Sequence, residues 1–189
     1  LKKSDEYWPV PNLTKHIDGY EIAEGMFSAD GPDTGSRLLV EDFDDRIRGS
    51  IADLGAGWGY LSRELLNRSN RVETLDLFEA DFASLEAAKK NLTDVSAQTR
   101  FRWCDVLSEF QKKPYDWVIM NPPFHTGRAA EPAIGRRFIE AAASTLPKGA
   151  RLLMVANQHL PYEKILNRCF RRFETLTKRD GFTVFEATR

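Results

Sequence analysis

Two short stretches hold residue types that could do chemistry. The sharper is Asn121-Pro122-Pro123-Phe124. Two consecutive prolines remove two backbone donors and restrict the chain, so this loop presents carbonyls. The Asn121 side chain adds an acceptor beside the Pro122 carbonyl, and together they can take both protons of a planar NH2 group. Such a clamp turns the nitrogen lone pair toward an electrophile bound opposite. Its work is positioning for in-line transfer and stabilisation of the positive charge the amine gains. Phe124 can stack on a flat base bearing that amine, as aromatic side chains do for bases drawn out of a helix. The plainer alternative is a rigid loop ending in a core Phe.

The second stretch is Asp53-Leu54-Gly55-Ala56-Gly57-Trp58-Gly59. Glycines at alternate positions let the chain turn sharply and let a ligand approach with no Cβ in the way. A helix starting there aims free amides and a partial positive charge at the ligand. The spacing departs from the dinucleotide fingerprint Gly-x-Gly-x-x-Gly. It suits a cofactor with a carboxylate and an ammonium but no pyrophosphate, held by Asp53, Gly55, Ala56, Gly57 and Gly59. A ribose diol calls for a carboxylate at the end of the next strand. Glu79 is the choice, 20 residues past Gly59. Asp76 takes that role if the strand ends earlier, and Asp81 competes but also suits a helix N-terminus. Asp105 can accept from an adenine amine, with Ala80 and Val106 on the two faces of the ring; a lone Asp at a strand end also serves as a turn residue.

These loops need a frame that sets several strand ends side by side, and the apolar pattern supplies it. Ile51–Leu54, Val72–Phe78, Phe101–Cys104, Trp117–Met120 and Leu152–Ala156 read as strands, with Asp76 awkward inside the second. Trp117–Met120 is apolar throughout, as in a strand covered on both faces. Tyr60–Asn67, Phe82–Leu92, Arg136–Thr145 and Tyr162–Phe170 read as helices. In the second of these, Phe82, Leu85, Ala88 and Leu92 share one face, and Asn91 lies near its end. Phe173–Thr188 reads as one or two further strands turning at Gly181. Strands alternating with helices of this length predict a doubly wound α/β sheet. Residues 1–50 are the least regular part, and 1–40 are expected to form a lead-in segment that brings Phe27 and Asp33 toward the pocket.

With 189 residues, 42% of them hydrophobic and 29% charged, the chain is expected to form one ordinary domain, 1–189. No apolar run approaches the ~18 residues of a membrane span, and no secretory segment opens the chain. The start at Leu1 rather than Met reads as a piece of something longer. Cys104 and Cys169 stand alone, and His16, His125 and His159 lack partners at ligand spacing. No disulfide framework and no metal are therefore expected, and a reducing cytoplasm is the simpler compartment. Net charge is −1, yet up to Asp94 there are 11 Lys and Arg against 19 Asp and Glu, and after it 16 against 9. Such asymmetry can mark a face meant for phosphate, or merely a solvated surface. Arg128, Arg136 and Arg137 follow the Asn-Pro-Pro loop and can meet phosphates. Arg168, Arg171, Arg172, Lys178 and Arg179 belong to the same surface or to a solvated helix end.

Taken together, Asp53–Gly59 and Asn121–Phe124 resemble a class I methyltransferase of the amino-group type. His125 extends the second motif. Gly25-Met26-Phe27-Ser28 and Asp33–Leu39 upstream, and Val155-Ala156-Asn157 with Leu160-Pro161-Tyr162 downstream, are similar to the ribosomal RNA guanine-N2 methyltransferases. The likeness is to the families of small-subunit methyltransferase C and its large-subunit relative G. It implies a Rossmann-like seven-stranded sheet with a C-terminal antiparallel hairpin, S-adenosylmethionine as donor, guanine as target, and ribosomal RNA or a ribosomal subunit as partner. It also implies that this domain is the C-terminal half of a longer protein, behind a degenerate sister domain that is absent here or replaced by residues 1–24. Phe27, Phe124, His125 and Arg128 are then the substrate-side residues, with Asn121, Pro122, Pro123 and Phe124 the catalytic loop. Three alternatives stay open: an adenine-N6 nucleic-acid methyltransferase, a protein glutamine-N5 methyltransferase, and a non-catalytic cofactor-binding module.

Overall fold

The computed structural model describes residues 13–17, 19–23, 28, 30–93, 95, 97–110, 113–123, 125–126, 129–130 and 132–189, with backbone only at 13–15, 23, 125–126 and 129–130. A short hairpin comes first, β1 (Leu13–Ile17) against β2 (Tyr20–Ala23), followed by helix α1 (Thr34–Val40). Then come β3 (Gly49–Leu54), α2 (Tyr60–Arg68), β4 (Val72–Glu79), α3 (Phe82–Asn91) and β5 (Gln98–Trp103). They are followed by β6 (Trp117–Met120), a two-residue ladder of β7 (His125–Thr126) on β8 (Ala129–Ala130), and α4 (Pro132–Thr145). The chain closes with β9 (Arg151–Asn157), α5 (Glu163–Cys169), β10 (Arg172–Arg179) and β11 (Phe182–Thr188).

Seven strands form one sheet in the order β10-β11-β9-β6-β3-β4-β5. The five strands from β9 to β5 are parallel, and β11 runs antiparallel to both its neighbours. This is the expected seven-stranded sheet with its C-terminal hairpin. Asp180 and Gly181 both have positive φ, 53° and 80°, as the tight turn between β10 and β11 requires.

The sheet is covered on both faces, and the two-residue side-chain period sorts its residues between them. Trp117 and Ile119 join the cluster under α1, α2 and α3, while Val118 and Met120 join the one under α4 and α5. Leu61, Leu65 and Ala88 fill the first layer, and Phe138, Ile139, Ala142 and Leu166 the second. All four residues of β6 are buried, which explains why its sequence carries no polar position.

Asp76 is the polar break that looked awkward within β4. It is buried among three partners: Arg100 Nε at 2.5 Å, Lys113 Nζ at 3.0 Å and the Tyr115 hydroxyl at 2.6 Å. Burial alone would raise this carboxyl, but the three donors outweigh it and hold it below its ordinary value. Phe82 departs from the expected α3 face. Leu85, Ala88 and Leu92 are buried, yet Phe82 is 44% exposed and lies edge-on against the exposed Trp103, 5.1 Å between centroids. It is the first residue after the cap Asp81, where the helix has not yet reached the sheet. Helix α4 starts four residues earlier than expected, at Pro132, a residue that suits a first turn because no amide is needed there. Among the described residues, no helix is long and apolar enough to cross a membrane.

Candidate active site

The C-terminal ends of β3, β4, β5, β6 and β9 lie along one edge of the sheet, where the loops that follow them meet. This edge of a parallel sheet is where ligands bind. The glycine loop follows β3. Gly55, Gly57 and Gly59 all have positive φ, at 73°, 54° and 87°. Gly57 faces open space, with nothing within 4 Å of where a Cβ would sit, whereas a Cβ at Gly59 would lie 2.6 Å from Leu92 Cδ1. One glycine leaves room for a ligand, and the other lets α3 pack against the start of α2. The Gly55 and Ala56 amides bond the Phe78 carbonyl at 2.9 and 3.1 Å, which pins the loop to the end of β4.

Glu79 stands at that end of β4 and touches the glycine loop. Its Oε2 accepts from the Gly57 amide at 2.8 Å, and its Oε1 from the Asp81 amide at 2.8 Å. The two competitors have partners of their own. Asp76 serves its three partners inside the core, and Asp81 caps α3 through the Ser84 amide at 2.9 Å.

Asp53 is wholly buried at the foot of the loop. Its Oδ2 accepts from the Ser62 hydroxyl at 2.7 Å, and its Oδ1 has no partner among the described residues. Burial pushes this carboxyl up to about 7, the Ser62 hydroxyl opposing and the Glu79 charge adding to the rise. A buried carboxylate oxygen without a donor is costly, in keeping with the raised carboxyl.

At the third strand end, Asp105 holds its own turn. Its two oxygens accept from the Leu107 amide and the Ser108 hydroxyl, both at 2.8 Å, and each keeps a second lone pair. Ala80 is exposed and its carbonyl takes the Trp103 indole N–H at 2.9 Å, while Val106 is buried beside Phe78.

Asn121 ends β6. Its amide nitrogen donates to both oxygens of Asp33 at 3.2 Å and to the Ser36 hydroxyl at 2.9 Å. A carboxylate only accepts, so the orientation of this amide is set by chemistry: nitrogen toward Asp33, carbonyl oxygen without a partner among the described residues. Asp33 itself is the N-cap of α1, accepting from the Ser36 amide at 3.1 Å. Pro122 is buried and Pro123 exposed. Asp33, Ser36, Gly55, Gly57, Tyr60 and Asn121 line one small cleft. A cavity of ≈ 1240 Å³ lies at the opposite edge of the sheet, around Gly49, Asp116 and Gly149. Its size carries no weight here, because the glycine loop and Asn121 are not part of it.

Phe27, Phe124 and Arg128 lie outside the described residues, and His125 is described by its backbone alone. Sequence reasoning passed over Ser36 and the work of Asn91. Asn91 accepts from the Glu21 amide at 2.7 Å and donates to the carbonyls of Glu21 and Trp58 at 3.0 and 2.8 Å. It ties β2 to the glycine loop. Trp58 is buried against Tyr20, 5.0 Å between centroids, so the bulky residue among the glycines anchors the hairpin on the loop. A signal for α1 was present: Asp33 precedes Leu38-Leu39-Val40 as an N-cap precedes an apolar face.

The chain matches the family model of the methyltransferase small domain over residues 21–186. It is 34% identical over 187 residues to the ribosomal RNA small subunit methyltransferase C of Hamiltonella defensa, covering 95% of this chain and 55% of that protein. The enzyme of the same name from Proteus mirabilis is 33% identical over 165 residues, 87% of this chain and 48% of the relative. Among solved structures, the T. thermophilus 16S rRNA guanine N2 methyltransferase in complex with AdoMet and guanosine superposes with a TM-score of 0.77 at 30% identity. That match covers 96% of this chain and 52% of the other. The chain thus spans about half the length of the relatives it matches.

Proposed function

The chain belongs to the methyltransferase small-domain family, and we propose that it uses S-adenosylmethionine to methylate the exocyclic N2 amine of a guanine in ribosomal RNA. The observation that carries the reading is the fixed amide of Asn121, whose nitrogen is held by Asp33 and Ser36 while its carbonyl oxygen has no partner among the described residues. An NH2 group is the ligand such an oxygen suits, with the Pro122 carbonyl as second acceptor. The guanosine in the related T. thermophilus complex supports guanine as the base.

The residues present fit the donor. The open space at Gly57 admits a ligand against the backbone. Glu79, at the loop, has lone pairs left for a ribose diol, and Asp105 for an adenine amine. Once bound, S-adenosylmethionine supplies an electrophilic methyl on a sulfonium.

The remaining steps belong to the chain. Asn121 and Pro122 orient the amine so that its lone pair, not its protons, faces the methyl. As the nitrogen gains positive charge, both carbonyl dipoles stabilise it, and the Asp33 carboxylate behind Asn121 strengthens that field. No general base is needed on the chain, since the amine proton leaves to water after transfer. From the sequence, Phe124 is the candidate to stack on the base, and Phe27, His125 and Arg128 are the other substrate-side candidates.

The test is transfer of a labelled methyl from S-adenosylmethionine to small subunits, large subunits, naked RNA and a release-factor protein. Label in an RNA-containing acceptor is expected. Label in the protein alone would replace this reading with glutamine methylation, and calorimetric binding of the donor without any transfer would leave only a binding module.

A further inference from the structure

On the strength of that reading, we propose that the groove between α4 and α5 carries the phosphate backbone of the RNA strand bearing the target base. Arg136, Arg137, Lys164 and Arg168 line one cavity of ≈ 390 Å³ there, with Glu140 as its single carboxylate. Glu140 is already engaged by Arg168. The Arg137 guanidinium is held by the Leu107 carbonyl at 3.1 Å, while Arg136 and Lys164 are exposed and pair with no acid among the described residues. Several cations elsewhere on the sheet are matched by acids: Arg100 and Lys113 by Asp76, Arg151 by Glu186, Arg179 by Glu41. A cluster of four cations with one occupied acid lacks its counter-charge. A run of phosphates supplies it, and arginine forks suit phosphate oxygens.

Position ties the groove to the chemistry. Helix α4 begins just after the Asn121 loop, and Pro161 and Lys164 follow the end of β9, so the mouth of the groove opens at the same sheet edge as the cleft. The walls of the groove are closely packed. A Cβ at Gly135 of α4 would lie 1.9 Å from the Tyr162 hydroxyl at the start of α5, so the two helices meet at van der Waals contact only because Gly135 has no side chain. In this proposal the strand runs along the groove to the sheet edge where Asn121 stands. The basic balance of the C-terminal half, 16 Lys and Arg against 9 Asp and Glu, thereby gains a role.

The test uses the double variant Arg136→Gln/Lys164→Gln and a fluorescein-labelled, guanine-containing single-stranded RNA, with anisotropy read across a salt series. Each phosphate contact on a single strand releases ~0.7 ion, so losing two lowers the slope of log K against log salt by about 1.4 and raises Kd about 25-fold at ~0.1 M salt. Donor affinity and thermal unfolding stay as in the parent chain. Arg48→Gln/Arg71→Gln, on the opposite sheet edge, leaves RNA affinity unchanged. The proposal is overturned if the groove variant keeps the parent Kd and slope, if the opposite-edge variant loses as much, or if the parent chain binds no RNA. Salt-dependent binding lost in the groove variant, in a chain that methylates no guanine, would uphold the groove and refute the function above.

Discussion

Replacing Asp33 by Asn tests whether Asn121 works as an oriented acceptor. The change keeps the shape of the side chain and keeps an oxygen able to cap α1, since Asn and Asp are comparable N-caps. What it removes is the charge that accepts only. In the parent chain, two 3.2 Å contacts from Asp33 and one of 2.9 Å from Ser36 hold the Asn121 amide nitrogen. An Asn at 33 can donate to the Asn121 oxygen instead, which lets that amide turn its NH2 toward the substrate. The acceptor is then lost in the rotated population. A hydrogen bond involving a charged group contributes ~1.5–3 kcal/mol, which corresponds to a drop of about 10- to 150-fold in the transfer step. Single-turnover transfer from a tritiated donor reads that step, calorimetry reads donor affinity, and circular dichroism reads the fold. The expected result is the slowed transfer with donor affinity within about threefold of the parent and an unchanged melt, since a cap exchange costs only a few tenths of a kcal/mol. A transfer rate within about twofold of the parent would refute the orienting role. So would a loss accounted for by weaker donor binding alone, because Asp33 also lines the cleft.

Asn121→Ala is expected to abolish detectable transfer in the same assay while donor affinity stays near that of the parent. Glu79→Ala should weaken donor binding by ~1.5–3 kcal/mol in calorimetry, from a lost ribose contact and a loosened Gly57 amide; an unchanged Kd would remove Glu79 from the donor site. For buried Asp53, whose carboxyl is raised from an ordinary 3.8 to about 7, the folded chain holds the proton more tightly than the unfolded one. Stability from this group is therefore full below about pH 4 and declines as pH rises toward 7. The melting-temperature advantage of Asp53→Asn in the ligand-free chain should appear over that window and vanish below it. Tyr162→Phe removes a buried hydroxyl with no partner among the described residues, and is expected to leave stability equal or raise it by ~1 kcal/mol, a shift of about 2–4 °C. Gly135→Ala should lower stability by ~1–3 kcal/mol, with part of the loss recovered when the two changes are combined.

The parts legible in the sequence were those where a local pattern reports a local constraint. Trp117–Met120 could be read as a strand because both its faces are covered, and apolar side chains at every position say so without any partner in view. The glycine loop was legible because positive φ at alternate positions is a backbone demand that few residues other than glycine meet. Asp76 could not be placed from pattern alone. A carboxylate inside a strand is unfavourable until Arg100, Lys113 and Tyr115 are known to converge on it from 24, 37 and 39 residues away. The same distance problem hid the role of Ser36, which meets Asn121 across 85 residues, and of Asn91, whose bonds reach back 70 residues to Glu21. Helix α1 is seven residues long and has Gly35 and Ser36 in its first turn, so its propensity is poor and packing on β9 and β11 sustains it. The hairpin of β1 and β2 likewise shows its purpose only in three dimensions, where Tyr20 and Ile22 bury against Trp58.

The atom that receives the methyl is the most direct readout of the Asn121 clamp. RNA methylated by the chain with a labelled donor can be digested to nucleosides and resolved by mass spectrometry, in parallel with RNA carrying inosine, which lacks the N2 amine, in place of guanosine. The expected product is N2-methylguanosine from the first RNA and no methylated nucleoside from the second. Methyl on a ring nitrogen, on a ribose, on adenine, or on the inosine-containing strand would contradict an amine held between the Asn121 and Pro122 carbonyls.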